Sequence, residues 1–433
     1  MSKVTADLAS RASLLARLAL FALPLCFGPV IAHAQAKPQP TNEQKQTALA
    51  PAKDGRAAEA SGPSTQGTTI SALPGMETSA PTAILIDAET GTVLLEKNAD
   101  QLTPPASLTK LMTVAVVFEQ LKAGKLRLDD EFTVSQNAWR KGGASSGGST
   151  MFLPLNGRAS VRSLIQGTAI QSGNDATIVL AEGLAGSEDG FARMMNEHAK
   201  AIGITKSTFR NPHGLPDPEQ RVTMRDLATL ASHIVRDYPG EYKVFSEPQF
   251  TFNGITQQNR NPVLGLVEGV DGMKTGHTAE SGYGLVASAI RNGQRLILAL
   301  NGLRSANERR DEARKLLEWG FRGFGQATLV PASQMVGQVR VVSGAVSSVP
   351  LVPLSDAKVL KPKGTGQGYA TKVVADERVQ APVRKGDRLG TLQVTANGSV
   401  IREVPLVAGA DVDLGAWWQR AWETVTDRVR KLI

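Results

Sequence analysis

Cysteine is almost absent from this chain, because Cys26 is the only one among 433 residues. A disulfide bond needs two thiols, so the fold depends on a packed core for its stability. The histidines show no His-Glu-x-x-His or similar ligand spacing, and no compact cluster of basic and aromatic residues occurs. We therefore expect no metal, no cofactor and no nucleic-acid partner.

The N-terminal apolar run, residues 18–31, is short for a membrane span. Arg11 and Arg17 precede this run, and Ala32-His33-Ala34 follows it with the small residues of a cleavage site. This order of features predicts an export signal, with a retained membrane span as the alternative. The exported chain would lose Cys26 and contain no cysteine at all.

The formal net charge of the chain is +8. Lys3, Arg11 and Arg17 against Asp7 give the first 34 residues a charge of +2, which leaves +6 for the rest. A moderate excess of this kind is compatible with contact to an anionic surface.

The chain is longer than one typical domain, so two domains with tails are expected. A domain of mixed helices and strands is followed by short β-rich runs that are separated by glycine, proline and aspartate turns. The composition predicts a signal peptide at 1–34, a flexible linker at 35–78, a mixed domain at 79–325, an all-β domain at 326–410 and an amphipathic helix at 411–433.

Within the mixed domain, strands are predicted at both ends of the sequence and helices between them. Residues 83–87 and 92–96 form a hairpin pattern, and two further strands are expected at 284–289 and 295–300. This arrangement predicts a sheet that is closed by the first and last segments. Helices are expected from about 105 to 124 and at 162–171, 176–184, 190–201, 224–236 and 307–319.

The last segment has an apolar stripe that includes Trp417, Trp418 and Trp422, with charged residues on the opposite face. The stripe is too short and too interrupted by charge to span a bilayer. Tryptophans suit the headgroup region, and Arg428 and Arg430 suit anionic lipids. We expect this helix to lie on a membrane surface, and packing against its own β domain is the alternative.

Three short motifs occur in order: Ser107-Leu108-Thr109-Lys110, Ser172-Gly173-Asn174 and Lys274-Thr275-Gly276. A serine hydroxyl is a poor nucleophile at neutral pH, so it needs a base, and an anionic substrate needs a cation. Together, the motifs supply a nucleophile, a base, a second hydroxyl and a cation.

Each motif is weak evidence of function when it is taken alone. A second Ser-x-x-Lys occurs at 355–358, and Ser-x-Asn recurs at 135–137 and 305–307. Local context selects the first set: Ser107 is predicted to open an amphipathic helix, Ser172 to lie between two helices, and Lys274 to precede a strand.

Lys110 follows Ser107 by one helical turn, so it is the candidate base. It must be neutral to accept a proton, and burial beside a second cation such as Lys274 would lower its pKa in the required direction.

The second motif and two backbone groups complete the predicted chemistry. Ser172 is placed to pass a proton to a leaving amine, and the Asn174 amide to orient Lys110 or the substrate. The backbone N–H groups of Ser107 and His277 are the candidate oxyanion hole.

These motifs and the residues around them resemble the serine D-alanyl-D-alanine carboxypeptidases, the low-molecular-mass penicillin-binding proteins. The resemblance covers the chain from about residue 81 onwards and rests on the segments 105–113, 171–176, 213–215, 253–256, 270–278 and 314–321. It implies an α/β (α+β) catalytic domain of the β-lactamase/transpeptidase type, a small all-β C-terminal domain and a terminal amphipathic helix.

The resemblance also implies roles for individual residues. Ser107 would form the acyl-enzyme, Lys110 would accept the proton, and the strand of Lys274, Thr275 and Gly276 would bind the terminal carboxylate. Arg309, and with less support Arg260, match positions suggested to help bind that carboxylate, although Arg309 also fits a solvated charge on a helix.

His213 and His277 raise two alternatives, a metal site and a serine–histidine triad. No ligand spacing accompanies them, and Lys110 already fills the role of base. We therefore interpret His213 as a side chain that fixes a loop and His277 as acting chiefly through its backbone.

The resemblance predicts a carboxypeptidase that removes the terminal D-alanine from peptidoglycan pentapeptides and that binds β-lactams. It would be exported and held peripherally at the periplasmic face of the bacterial inner membrane. Three alternatives remain: a serine β-lactamase, although no Glu-x-x-Leu-Asn pattern follows Ser172; a peptidoglycan endopeptidase; and a non-catalytic wall-binding protein, although no motif residue is missing.

Overall fold

A computed structural model of the protein describes residues 76–418, except 365–367 and 397. The predicted signal peptide, most of the linker and residues 419–433 of the predicted terminal helix lie outside the described residues. Among the residues that are described, no helix is both long and apolar enough to cross a membrane.

Six α-helices occur in the described part of the chain, all in its first domain. Several begin at a side-chain cap, in which a serine or threonine hydroxyl accepts a hydrogen bond from a backbone N–H of the first turn. The helices are α1 (Lys110–Lys122), α2 (Val161–Gln166), α3 (Asn174–Ala185), α4 (Glu188–Ala201), α5 (Met224–Asp237) and α6 (Ala306–Gly323).

The strands divide between the two domains, with nine in the first and the rest after α6. They are β1 (Thr82–Asp87), β2 (Val93–Lys97), β3 (Glu131–Thr133), β4 (Arg158–Ser160), β5 (Gln249–Phe252), β6 (Ile255–Gln258), β7 (Val270–Thr278), β8 (Gly282–Arg291), β9 (Gln294–Leu303), β10 (Phe324–Val330), β11 (Gly337–Val342), β12 (Ser348–Pro353), β13 (Ala357–Pro362), β14 (Tyr369–Ala375), β15 (Arg378–Gln380), β16 (Arg388–Ala396) and β17 (Ser399–Ala408).

The main sheet of the first domain has the antiparallel order β2-β1-β9-β8-β7. Strand β1 pairs with β9 from Thr82↔Asn301 to Asp87↔Leu296. This pairing confirms the prediction that the first and last segments close one sheet. The β1–β2 hairpin is confirmed as well.

Helices cover both faces of this sheet because its central strands are apolar on both sides. Ile84 and Ile297 belong to the core that contains α1, α3, α4 and α5. Their sequence neighbours Leu85 and Leu298 belong to a second core, which they share with α6. Consecutive strand residues thus contribute to two separate cores.

The structure corrects the prediction for the first helix. Ser107 lies in a 3-10 turn, Ala106–Thr109, and the α-helix begins only at Lys110. Every residue from Lys110 to Phe118 is buried, so this part of α1 is not amphipathic. The reason is its position inside the helical layer, where α3, α4 and α5 surround it.

The C-terminal region is all-β, as predicted. A ribbon of β10 and β13 lies beside a six-stranded sheet of order β14-β16-β17-β12-β11-β15. Strand β10 begins directly after α6, and Gln326 in that strand donates a hydrogen bond to Asp87 in β1 at 2.9 Å. An ion pair of 3.0 Å joins Lys358 in β13 to Glu89. The two domains are therefore connected by side-chain contacts as well as by the chain.

Candidate active site

Ser107 lies in a tight turn that the surrounding chain holds firmly. Ala106 before it has a positive φ of 46°, a conformation that L-residues rarely adopt outside functional sites. The Leu108 N–H donates to the Pro105 carbonyl at 3.1 Å, which closes the turn. The Ser107 side chain is thereby presented at the start of α1 and remains partly exposed.

Lys110 is 1% exposed, and its amino group has three hydrogen-bond acceptors. Nζ lies 2.9 Å from Ser107 Oγ, 2.8 Å from Asn174 Oδ1 and 2.5 Å from the His213 carbonyl oxygen. Burial, reinforced by the charge of Arg260, lowers the pKa of Lys110 to about 7, and Asp175 opposes this effect. Lys110 therefore has both the contact and the pKa that a base for Ser107 requires.

Ser172 occupies the connector between a π-helical turn, Gly167–Gln171, and α3, as predicted. It adopts the left-handed conformation, with φ 68°. Its hydroxyl oxygen is buried and has no hydrogen-bond partner in the described part of the chain. This hydroxyl is therefore free to exchange hydrogen bonds with a substrate.

Asn174 is the first residue of α3, and its backbone N–H donates to the Ser149 carbonyl at 2.7 Å. The next residue, Asp175, is fully buried. Its carboxylate accepts hydrogen bonds from the Thr150 hydroxyl at 2.6 Å and from the Met151 backbone at 3.0 Å. These hydrogen bonds attach the loop of Thr150 and Met151, which precedes β4, to the second motif.

Lys274, Thr275 and Gly276 lie in the middle of strand β7, at the edge of the main sheet. The strand predicted to follow Lys274 is present as β8, but the prediction missed that Lys274 itself lies within a strand. Glycines and polar residues dominate this stretch and hide its strand character. A Cβ added at Gly276 would lie 3.0 Å from the Pro105 carbonyl oxygen, so β7 runs directly against the turn of Ser107.

The cleft concentrates positive charge. Burial and the charges of Lys110, Arg260 and Arg309 hold the pKa of Lys274 well below its ordinary value. Lys274 Nζ donates to the Thr275 carbonyl at 2.9 Å and forms no ion pair with any carboxylate among the described residues. Arg260 and Arg309 keep their charge, so they favour the entry of an anion, and an anion bound there would in turn stabilise the charged form of Lys274.

Arg309 is not a solvated helix charge, although it belongs to the first turn of α6. Its side chain is buried and its guanidinium lies 5.5 Å from the centre of the Tyr283 ring. Arg260 donates to Ser149 Oγ at 2.5 Å and to Gln171 at 3.3 Å. Both arginines therefore belong to the cleft.

The two histidines have different environments. His213 is buried, and its imidazole bonds to Glu188 at 2.8 Å, while its backbone carbonyl accepts from Lys110. His277 is exposed at the end of β7 and stacks on Tyr283, with 3.9 Å between ring centres. The interpretation of His213 as a residue that fixes a loop is confirmed.

The competing motif copies have structural roles. Lys358 pairs with Glu89 across the domain junction, and Ser355 is exposed. Ser305 caps α6, and the Ser135 hydroxyl accepts a backbone N–H in its own turn. The structure brings none of these serines next to a buried lysine.

Gly214 provides a test of the packing behind Ser107. It has φ +83°, and a Cβ there would overlap the Ala106 carbonyl and lie 3.0 Å from the Ser107 nitrogen. Gly214→Ala is expected to lower the melting temperature and to slow acylation of Ser107 by a β-lactam at least about 100-fold, because Ser107 would have to move.

Gly203→Ala is the matched control, because Gly203 also has φ +83° but has no atom near the added Cβ. It should cost only the backbone strain of about 1–2 kcal/mol and leave acylation unchanged. Equal acylation rates in the two variants, measured by stopped-flow fluorescence, would show that the contact with Ala106 does not position Ser107.

Three residues of the site, Asp175, Glu188 and His213, lie outside the three short motifs, although Asp175 and His213 belong to segments that carry the resemblance. Asp175 follows the second motif, and its position in an otherwise apolar helix is a weak signal of a buried carboxylate. Glu188 and the His213 carbonyl give no signal, because an acidic residue at a helix start is common and any residue has a carbonyl.

Comparison with known proteins identifies two families along the chain. The family described as D-alanyl-D-alanine carboxypeptidase matches residues 67–304. The family described as Penicillin-binding protein 5, C-terminal domain, matches residues 324–414.

Individual relatives match most of the chain. D-alanyl-D-alanine carboxypeptidase DacC of Escherichia coli is 42% identical over 345 residues, which cover 79% of this chain and 86% of the relative. The crystal structure of penicillin binding protein 5 from Haemophilus influenzae has a TM-score of 0.71 at 39% identity and covers 79% of this chain and 99% of that one. The crystal structure of Penicillin-Binding Protein D2 from Listeria monocytogenes in its ampicillin-bound form has a TM-score of 0.51 at 32% identity. It covers 57% of this chain and 100% of that one.

Proposed function

Since the chain belongs to the D-alanyl-D-alanine carboxypeptidase family of serine hydrolases, we propose that Ser107 is its nucleophile and Lys110 its general base. The observation that carries this proposal is the 2.9 Å contact between Lys110 Nζ and Ser107 Oγ. The two residues meet the distance requirement for proton transfer.

The other two partners of Lys110 support the direction of this transfer. A neutral amino group has two N–H donors and one lone pair. The two donors have fixed acceptors in Asn174 Oδ1 and the His213 carbonyl, at 2.8 Å and 2.5 Å. The lone pair is then left for the hydroxyl of Ser107.

In the proposed acylation, Ser107 Oγ attacks the carbonyl carbon of the penultimate D-alanine while Lys110 Nζ takes the hydroxyl proton. The backbone N–H groups of Ser107 and His277 stabilise the oxyanion, and removal of one such donor typically costs about 3 kcal/mol of barrier. The C–N bond then breaks, and the leaving amine of D-alanine takes, through Ser172, the proton that Lys110 Nζ accepted from Ser107. Water hydrolyses the acyl-enzyme and regenerates Ser107.

The substrate carboxylate is assigned to the cationic side of the cleft. Lys274, the Thr275 hydroxyl and Arg309 would hold it, with Gly276 allowing the close approach of β7 to the Ser107 turn. A β-lactam presents a strained amide next to a carboxylate, so the same groups would bind it.

The experiment that tests this assignment is mapping of a benzylpenicillin adduct on the wild-type protein. Trypsin would release the peptide from Asn98 to Lys110, in which Ser107 is the only serine. We expect the added mass on this peptide, and we expect it to persist for longer than an adduct of a β-lactamase. An adduct on any other peptide would overturn the assignment of Ser107.

We also propose that the protein works at a membrane surface on the periplasmic side. In this proposal, residues 1–34 are an export signal, 35–78 a linker, 79–325 the catalytic domain, 326–410 the all-β domain and 411–433 a peripheral anchor. Exposure of two tryptophans in the described part of the last segment supports it, since Trp417 is 75% and Trp418 58% exposed.

The anchor is tested with vesicles of anionic lipid. Mature protein is expected to sediment with the vesicles, whereas protein that ends at Asp411 should stay in solution with its carboxypeptidase activity intact, because the cleft lies in the other domain. Equal sedimentation of the two forms would contradict the anchor.

A further inference from the structure

Glu188, at the start of α4, is the outermost member of a hydrogen-bonded chain that ends at the catalytic lysine. Its side chain is 14% exposed, and its carboxylate lies 2.8 Å from His213 Nε2. Lys141 Nζ contacts the same carboxylate at 2.9 Å, and Asn137 Nδ2 at 3.0 Å. Each of these three donors restricts the position of the carboxylate.

The imidazole of His213 is held at both nitrogens. The Leu215 N–H donates to Nδ1 at 3.0 Å, so Nδ1 carries the lone pair and Nε2 carries the proton that is donated to Glu188. Burial lowers the pKa of His213 to about 4, so the ring is neutral at pH 7. Although burial opposes it, hydrogen bonds from His213 and Asn137 lower the pKa of Glu188 to about 2.

The backbone of His213 is the second contact in this chain. Its carbonyl oxygen accepts from Lys110 Nζ, and the neighbouring Gly214 N–H donates to Asn211 Oδ1 at 2.7 Å. The Thr113 hydroxyl donates to the Pro212 carbonyl at 2.6 Å. The His213–Gly214 peptide unit also lies between the imidazole and the Leu215 N–H that donates to Nδ1, so rotation of this unit would disturb that bond of the ring.

We propose that Glu188 is a positioning residue for acylation. By holding the His213 imidazole in one tautomer and one orientation, Glu188 fixes the backbone carbonyl that directs the amino group of Lys110 toward Ser107. This inference rests on the proposed role of Lys110 as the general base.

Three variants separate this role from general stabilisation of the loop. Glu188→Ala removes the acceptor for Nε2–H, whereas Glu188→Gln retains an amide oxygen in its place. Glu182→Gln is the matched control, because Glu182 Oε1 also accepts from Asn137, at 2.9 Å, but Glu182 has no hydrogen bond to His213 among the described residues.

The measurement is stopped-flow acylation by benzylpenicillin, analysed for the dissociation constant of the first complex and for the rate constant of acylation. Glu188→Ala should lower the rate constant on the order of 100-fold, because the base is misaligned, and leave the dissociation constant within about twofold. Glu188→Gln and Glu182→Gln should both remain within a few-fold of wild type.

An ¹⁵N spectrum of the histidine side chains gives a second readout that does not depend on the stability of any variant. At pH 7, wild-type His213 is expected to show the Nε2–H tautomer. The Nδ1–H tautomer in the wild type would overturn the proposal even if Glu188→Ala failed to fold.

The remaining outcomes distinguish the proposal from the function on which it rests. Unlabelled wild-type protein would overturn both. Labelled wild type together with an unchanged rate constant in Glu188→Ala would overturn only the role of Glu188. If Glu182→Gln lowered the rate constant of acylation as much as Glu188→Ala, the effect would be assigned to Asn137, which donates to both carboxylates.

Discussion

Replacing Ser107 by alanine is expected to abolish covalent labelling by benzylpenicillin and to lower carboxypeptidase activity on the order of 10⁶-fold, the usual cost of losing a serine nucleophile. Alanine lacks the oxygen that forms the ester, and Lys110 has no second hydroxyl within hydrogen-bond distance among the described residues. Intact-protein mass spectrometry measures the adduct directly.

Ser355→Ala is the control for this experiment, because Ser355 opens the second Ser-x-x-Lys copy. Its lysine, Lys358, is already paired with Glu89 at 3.0 Å. We expect full labelling of this variant at the wild-type rate. Retention of the adduct in Ser107→Ala, or its loss in Ser355→Ala, would contradict the choice between the two copies.

The rate of acylation is expected to rise with pH and to level off above about pH 7, the value to which burial and Arg260 lower the pKa of Lys110. Only the neutral amine accepts a proton, so the rate should fall about tenfold for each pH unit below that value. A lysine with an ordinary pKa would be neutral in fewer than about one molecule in a thousand at pH 7. A profile that rises only near pH 10 would contradict the role of Lys110 as base.

Two substitutions of Lys110 separate proton transfer from charge. Lys110→Ala removes both, and Lys110→Arg keeps a cation that is not deprotonated in proteins. Both are expected to lose acylation by several orders of magnitude, measured by stopped-flow fluorescence with benzylpenicillin. Substantial activity in Lys110→Arg would show that positive charge alone is sufficient.

Much of the geometry of the candidate site was predictable from sequence because its residues lie in short motifs. Ser107 and Lys110 are one helical turn apart, so their contact follows from local geometry. The connector of Ser172 was predictable because glycine follows it and apolar helical patterns lie on both sides. The sheet that joins β1 to β9 was predictable from the strand patterns at the two ends of the domain.

Other features depend on tertiary structure and have no local pattern. Lys274 lies within a strand that Gly272 and Gly276 make difficult to recognise, because glycine weakens β-propensity. The burial of α1 could not be predicted, because it depends on helices that lie far away in the sequence. Glu188 contacts His213 from a helix on which acidic residues at the first turn are ordinary.

The pairing of β1 with β9 has a consequence for the timing of folding. Asn301 pairs with Thr82, so β1 waits for a partner that is made about 220 residues later, and pairings between distant segments form slowly. Ser107 and Lys110 follow β1 closely, whereas β7 must also arrive before the cleft is complete. A chain that is interrupted before β9 would therefore carry the proposed nucleophile and base without the sheet against which they pack. It would expose apolar strands to proteases and to other unfolded chains until synthesis was finished.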